Sequence, residues 1–81
     1  MRIEKGQVWT HTCTGKIDKI LAVDSVYAYG HRIVVVVTQP IKGDDGPVMC
    51  WSDELFRLSF HRQIRLTDEI EALLDEHGIQ I

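Results

Sequence analysis

Five consecutive β-branched residues, Ile33-Val34-Val35-Val36-Val37, constrain the fold of this 81-residue chain more than any other feature. β-branched side chains favour extended backbone, and an unbroken apolar run of this length is typical of a strand buried on both faces. Pro40 is expected to end the strand, because proline cannot donate a hydrogen bond to a sheet ladder. Residues 33–38 are therefore predicted to form the central strand of a β-sheet.

Four further segments predict the other strands. Residues 7–12 and 48–51 are short and rich in β-branched, aromatic or other apolar side chains, and residues 60–66 follow a predicted helical turn at 54–56. Residues 19–29 predict a longer strand, in which Asp24 and Ser25 interrupt the apolar pattern as a bulge would. Residues 29–32 then supply a hairpin turn into the central strand.

Residues 67–77 have the pattern of an amphipathic helix. Thr67 is a good N-cap, and Asp68 and Glu69 lie in the first turn, where the helix dipole favours negative charge. Gly78 stands where a left-handed C-cap belongs, and Ile79 can fold back onto the helix. The residues that share the apolar face are Ile70, Leu73, Leu74 and His77.

These elements predict a mainly β (β-rich α+β) fold in a single domain. We expect a small SH3-like barrel of about five antiparallel strands over residues 1–66, followed by the C-terminal amphipathic helix over residues 67–77. The expected core comprises Val8, Trp9, Leu21, Val23, Val35, Val37, Phe56, Ile64, Leu73 and Leu74.

Composition narrows the setting of the chain. No apolar run approaches the ~20 residues of a membrane span. The first residues, Met1-Arg2-Ile3-Glu4-Lys5, contain no apolar signal-peptide core, and the two cysteines match no secreted disulfide framework. A cytoplasmic protein without a cofactor is therefore expected.

Charge is divided unevenly along the chain. Residues 1–66 carry a net charge of +2 and residues 67–81 one of −5, which gives −3 overall. The acidic helix is interpreted in three ways: as a solvated outer face, as a cover for the chain's own arginines, or as a surface that binds a basic protein partner. The expected partner-binding residues are Asp44, Asp45, Asp68, Glu71, Asp75 and Glu76.

A basic cluster between Phe56 and Leu66 offers an alternative, which is RNA or DNA binding. Its members are Arg57, His61, Arg62 and Arg65. Cations beside aromatic side chains can combine phosphate contacts with base stacking. The sequence pI of about 5.7 argues against this alternative, because nucleic-acid-binding domains are generally basic. The arginines are otherwise expected to pair with Glu54 or with the acidic helix.

Metal binding and catalysis are two further alternatives. His11 and Cys13 are two residues apart, which would place them on one side of a strand, and Cys50 with His31 or His61 would complete a tetrahedral zinc site. The chain has no Cys-x-x-Cys pair, so no metal is expected. Ser59 and His61 would share a strand face with Asp53 upstream, but no complete catalytic motif accompanies them.

Two resemblances add expectations. Lys5-Gly6-Gln7-Val8-Trp9, the hairpin through Val37 and the spacing Trp51…Phe56…Phe60 resemble small uncharacterised phage and prophage proteins with SH3-like barrels. Proteins of that size and origin include inhibitors of host defence, among them the anti-CRISPR class. The resemblance implies a fold and a mobile-element origin; together with the acidic surface it leads us to expect a non-enzymatic protein-binding module that inhibits a host nucleic-acid-handling complex.

The same opening, with Ile20-Leu21-Ala22-Val23 and Val34-Val35-Val36-Val37-Thr38, resembles PemK/MazF-type toxins, which are barrel-shaped endoribonucleases. That family has an Arg-Pro pair ahead of its second strand, and the arginine takes part in RNA cleavage. Here the stretch is Lys16-Ile17-Asp18-Lys19, although Thr38 matches the position of a catalytic hydroxyl. This resemblance implies a shared fold or a degenerate endoribonuclease. Self-association into a homodimer is left open, because small barrels expose edge strands.

Overall fold

The structure, a computed structural model, describes residues 2–43, 46–64 and 66–79. In chain order its elements are the strands β1 (Val8–His11), β2 (Ile17–Ala28), β3 (His31–Lys42) and β4 (Met49–Ser52), helix α1 (Asp53–Ser59), strand β5 (Phe60–His61) and helix α2 (Asp68–Glu76). Within these residues, neither helix has the length and apolar character needed to cross a membrane.

The strands form one five-stranded antiparallel sheet in the order β4-β3-β2-β1-β5. Consecutive strands pair from β1 to β4, and β5 returns to β1 with Thr10 opposite His61. The sheet is curled, because Trp51 on β4 and Phe60 on β5 lie on opposite edge strands and yet have ring centroids 5.4 Å apart. This arrangement, with α2 at its C-terminal end, confirms the predicted β-rich fold class.

The inner side of the curled sheet encloses the first of two hydrophobic clusters. Phe60 is at its centre: the ring stacks on Phe56 at a centroid distance of 4.6 Å and makes edge contacts with Trp51 and His11. The indole Nε1 of Trp51 donates a hydrogen bond to the buried hydroxyl of Thr38 at 3.0 Å. The buried members of this cluster are Ile3, Trp9, Ile20, Val36, Phe56 and Phe60.

The second cluster lies on the other side of β1, under α2. Val8 follows the strand alternation and points away from Trp9, so β1 contributes to both clusters. The buried members are Val8, Ile17, Ile70, Leu74 and Ile79, with Ile41 and Ile64 packed against them. The C-terminal helix is therefore fixed to the sheet by its apolar face, as its periodicity predicted.

An ion pair lies beside the first cluster. Asp18 on β2 is fully buried, and its Oδ1 lies 3.8 Å from Nζ of Lys16, whose side chain is 14% exposed. The same Nζ lies 5.9 Å from the Phe60 ring centroid. The sequence did not predict this pair, because Lys16-Ile17-Asp18-Lys19 was considered only as the stretch that lacks the toxins' Arg-Pro pair.

The prediction for the β-branched run was partly wrong. β2, not β3, is the middle strand of the sheet. Within β3 only Val36 and Thr38 are buried, and the other members of the run are half-buried. β3 also continues through Pro40 to Lys42, because β4 pairs only as far as Thr38 and proline is tolerated on a strand edge.

Three other features of the elements differ from expectation: the position of the register shift in β2 and the lengths of α1 and β5. The register of β2 shifts between Ile20 and Ala22 and not at Asp24 and Ser25, which places Ile20 and Val23 in the same cluster. α1 extends over seven residues, and β5 has two residues where residues 60–66 were expected.

Of the predicted core, Val8, Trp9, Phe56 and Leu74 are buried; Leu21, Val23, Val35, Val37, Ile64 and Leu73 are half-buried.

Candidate interaction surfaces

The acidic helix is held rigidly at both ends. The Thr67 hydroxyl accepts a hydrogen bond from the Ile70 N–H, so Thr67 is the predicted N-cap. At the other end Gly78 has φ +68°, its N–H donates to the Asp75 carbonyl, and the Ile79 N–H donates to the Leu74 carbonyl. This pair of bonds is a Schellman motif, with Ile79 as its hydrophobic contact. The predicted helix boundaries and C-cap are confirmed.

The acids of α2 all face solvent and fall on two flanks. At 100° per residue, Glu71, Asp75 and Asp68 lie on one flank and Glu69 and Glu76 on the other, with buried Ile70 and Leu74 between them on the inner side. The flank formed by Asp68, Glu71 and Asp75 is called the acidic flank below. No ion pair involves it within the described residues.

The other flank borders a groove against the end of β3. Glu69 Oε1 lies 3.4 Å from Nζ of Lys42, and the groove has a volume of about 360 Å³. We call it the helix groove. The residues that line it are Ile41, Lys42, Glu69, Ala72, Leu73 and Glu76. Asp44 and Asp45, the other expected partner-binding residues, lie outside the described residues.

The described members of the predicted basic cluster lie on different elements. Arg62 is half-buried, and its Nη1 donates to the Val8 carbonyl at 2.8 Å, so this arginine joins the segment after β5 to β1. Arg57 is exposed in the last turn of α1, and His61 is exposed on β5. Arg65 lies outside the described residues. The expected cover of this cluster by α2 is not seen for Arg62, whose described partner is a backbone carbonyl.

The zinc alternative required His11 and Cys13 to lie on one strand, but the strand ends before Cys13. β1 stops at His11, and Cys13 lies in the following turn, so the two do not share a strand face. His11 Nδ1 accepts the backbone N–H groups of Cys13 and Thr14, which assigns the ring proton to Nε2. Cys50 is exposed on β4. Among the described residues no group of three or more His, Cys, Asp or Glu side chains is placed to hold a metal ion.

The Ser59, His61 and Asp53 alternative also loses its geometric basis. Asp53 is the first residue of α1 and Ser59 the last, whereas His61 lies on β5. Ser59 and His61 therefore do not share a strand face as predicted. The described contact of Ser59 is structural, since its carbonyl accepts the Thr12 N–H.

Sequence reasoning missed the most exposed aromatic surface. The outer half of the β2–β3 hairpin, residues 23–34, is called the hairpin arm; β1 pairs with β2 only near residues 17–20, and β4 pairs with β3 only from Val35 onward. At its end Tyr27 and Tyr29 are 82% and 99% exposed. The signal was present in the sequence, because the β1 and β4 patterns are much shorter than the hairpin they flank.

No protein-family model, curated protein or solved structure matches this chain. Its function has to be inferred from the side chains and their geometry.

Proposed function

We propose that this chain is a non-enzymatic protein-binding module that acts through the acidic flank of α2 in the cytoplasm of its host. Its target is a basic groove in a nucleic-acid-handling complex, and binding inhibits that complex in the manner of a phage-derived, anti-CRISPR-type inhibitor. The observation that carries the proposal is a row of exposed acids on a helix whose opposite face and both ends are fixed.

Rigid presentation makes the acidic flank suited to recognition. Ile70 and Leu74 are buried and both caps are formed, so the carboxylates project from a fixed backbone and little ordering entropy is lost on binding. From Asp68 to Asp75 the helix rises by about 10 Å. A row of carboxylates of this length offers negative charge to lysine and arginine side chains much as a short run of phosphates does.

The basic residues give less support to the RNA- or DNA-binding alternative. Arg62 has its Nη1 committed to the Val8 carbonyl, and the chain as a whole has a net charge of −3. Phosphate binding depends on several cations acting together, because each released counterion adds a small increment. Protein recognition by the acidic flank is therefore the better-supported function.

Affinity capture from host lysate with quantitative mass spectrometry tests the proposal. The lysate is treated with nuclease, so that bridging nucleic acid cannot explain recovery. Glu71→Lys/Asp75→Lys should lower recovery of the partner at least about tenfold, since like charges then face each other across the interface. The matched control is Glu4→Lys/Glu54→Lys, which changes two exposed acids away from α2 by the same net charge.

Equal recovery by the two charge-reversed variants would overturn the proposal. A second assay addresses the alternative directly, using a mixed-sequence single-stranded RNA or DNA at low salt. No mobility shift is expected. A salt-sensitive shift that Arg57→Ala/Arg65→Ala abolishes would favour nucleic-acid binding instead.

A further inference from the structure

We propose that this chain associates with a second copy of itself head to tail. The tip of the hairpin arm, formed by Tyr27, Tyr29, His31 and Arg32 and called the hairpin tip, docks in the helix groove of the next copy. This contact uses neither the acidic flank nor the basic cluster.

The position of Tyr29 suits a contact with another molecule. It is 99% exposed and has φ +53°, and Gly30 follows with φ +76°. Two left-handed residues at the centre of a two-residue hairpin define a type I′ turn, for which Asn-Gly is the favoured pair. A tyrosine there is both strained and unpacked within the described residues. Backbone strain of this kind is often kept where the side chain serves a function.

The hairpin tip also carries one cation, Arg32, in a chain whose net charge is −3. Arg32 lies opposite Tyr27 on the paired strand, and its Nε and Nη2 donate to Ser25 Oγ at 3.2 and 3.0 Å. The guanidinium is thus held on the sheet face that Tyr27 shares, while it remains exposed. No Asp or Glu occurs between Ser25 and Gly43. Tyrosine and arginine together are the residue types that contribute most to protein interfaces.

The β2 edge of the arm is partly protected against strand addition. Ser25 N–H donates to Oδ1 of Asp24 at 2.8 Å, so a backbone donor that another strand would need is already occupied. A charged side chain in the middle of an open edge is a common protection against β-strand pairing.

The helix groove has the complementary chemistry. Its apolar lining residues are Ile41, Ala72 and Leu73; Glu69 is paired with Lys42, and Glu76 has no described ion pair. Its volume of about 360 Å³ lies in the range of sites that hold an aromatic group. A tyrosine ring can cover these apolar side chains while Arg32 of the same tip meets the Glu76 carboxylate.

Tip and groove cannot meet within one molecule. Eleven residue steps of β3 separate His31 at the tip from Lys42 in the groove, which is about 36 Å of strand. The molecule is correspondingly long, at 47 × 25 × 25 Å. The contact is therefore between copies, and because it joins two different surfaces it is heterologous and adds copies in a row or ring.

Sedimentation velocity over a range of concentrations tests this association. Wild-type protein is expected to form dimers and larger species as concentration rises. Tyr29→Asn should weaken the association at least about tenfold, because it removes a central aromatic contact. Its melting temperature should not fall, since asparagine suits the turn, which separates lost binding from lost folding. Tyr29→Phe is the matched control and should still associate.

A mixing experiment distinguishes the head-to-tail contact from a symmetric dimer. Glu69→Lys/Glu76→Lys carries an intact tip and a reversed groove, whereas Tyr29→Asn carries an intact groove and a defective tip. At a concentration where each variant alone is monomeric, an equimolar mixture should form a 1:1 heterodimer and nothing larger. Persistent monomers in the wild type, association unaffected by Tyr29→Asn, or no heterodimer in the mixture would each overturn the proposal. Glu71→Lys/Asp75→Lys should associate normally, so failure of the proposed function leaves this test intact.

Discussion

The base and the hairpin arm of the β2–β3 hairpin both contain β-branched strand residues, but they have different neighbours. Near the base of the hairpin, Val36 is fully buried between Ile20 and the aromatic cluster. Two residues away in the hairpin arm, on the same face, Val34 is only half-buried. A strand pattern thus reports the backbone conformation, whereas burial is decided by which neighbours reach that part of the strand.

The aromatic cluster at the base should show the largest effect of any single substitution. Phe56→Ala removes a fully buried ring that contacts Trp9 and Phe60, and we expect a loss of about 3–5 kcal/mol in the free energy of unfolding. Leu58→Ala on the same helix is the control, because that side chain is 80% exposed and should change stability by less than ~0.5 kcal/mol. Urea denaturation measures both. Similar losses for the two variants would mean that Phe56 is not in the core.

The comparison within β3 can be tested with one substitution made twice. Val36→Ala should cost about 1.5–3 kcal/mol, from lost apolar burial and an unfilled cavity. Val34→Ala should cost less than ~1 kcal/mol, because part of that side chain is already in water. Equal losses in thermal or urea unfolding would show that the hairpin arm is covered in solution.

Local sequence patterns were sufficient to predict the helices and strands but not to predict which of their residues face the core. α2 could be predicted with its caps, because Thr67, Gly78 and the apolar spacing all act within a few residues. The bulge near Leu21 could not, because its position depends on how β2 pairs with β3. One shifted residue in β2 reverses the face of every residue after it, which explains why Ile20 and Val23, three residues apart, belong to the same cluster.

The buried ion pair gives the next test, since no local pattern predicted it. Lys16→Met keeps most of the apolar stem but removes the cation next to the Asp18 carboxylate. We expect a loss of about 1–3 kcal/mol, because a buried carboxylate is costly without compensation. Lys19→Met is the control, because Lys19 lies next to Asp18 on β2, is half-buried and has no described ion pair. If both variants unfold at the same urea concentration, the pair contributes nothing measurable.

A candidate surface could be predicted where local spacing exposes its residues, and could not where their exposure depends on the rest of the fold. The acids of α2 follow from helical periodicity, so their exposure could be inferred residue by residue. Tyr27 and Tyr29 could be assigned only to a strand and its turn, because their exposure arises from the shortness of β1 and β4. Similarly, Arg62 appeared to be a surface cation, and only the fold brings its guanidinium to the Val8 carbonyl, far away along the chain.

The smallest effect is expected at the far end of the arm, and its sign should be opposite to the others. Tyr29→Asn creates an Asn-Gly pair at a turn in which residue 29 has φ +53°. A left-handed conformation costs most residues about 1–2 kcal/mol and asparagine less, so the free energy of unfolding should rise by about 0.5–1 kcal/mol. The lost ring should subtract little from monomer stability, because it is 99% exposed. The measurement has to be made at dilute, monomeric concentration, where self-association adds nothing to wild-type stability. Tyr27→Asn is the control, since that residue lies in the strand and should gain no stability. A Tyr29→Asn variant less stable than wild type under these conditions would mean that the ring packs on its own chain.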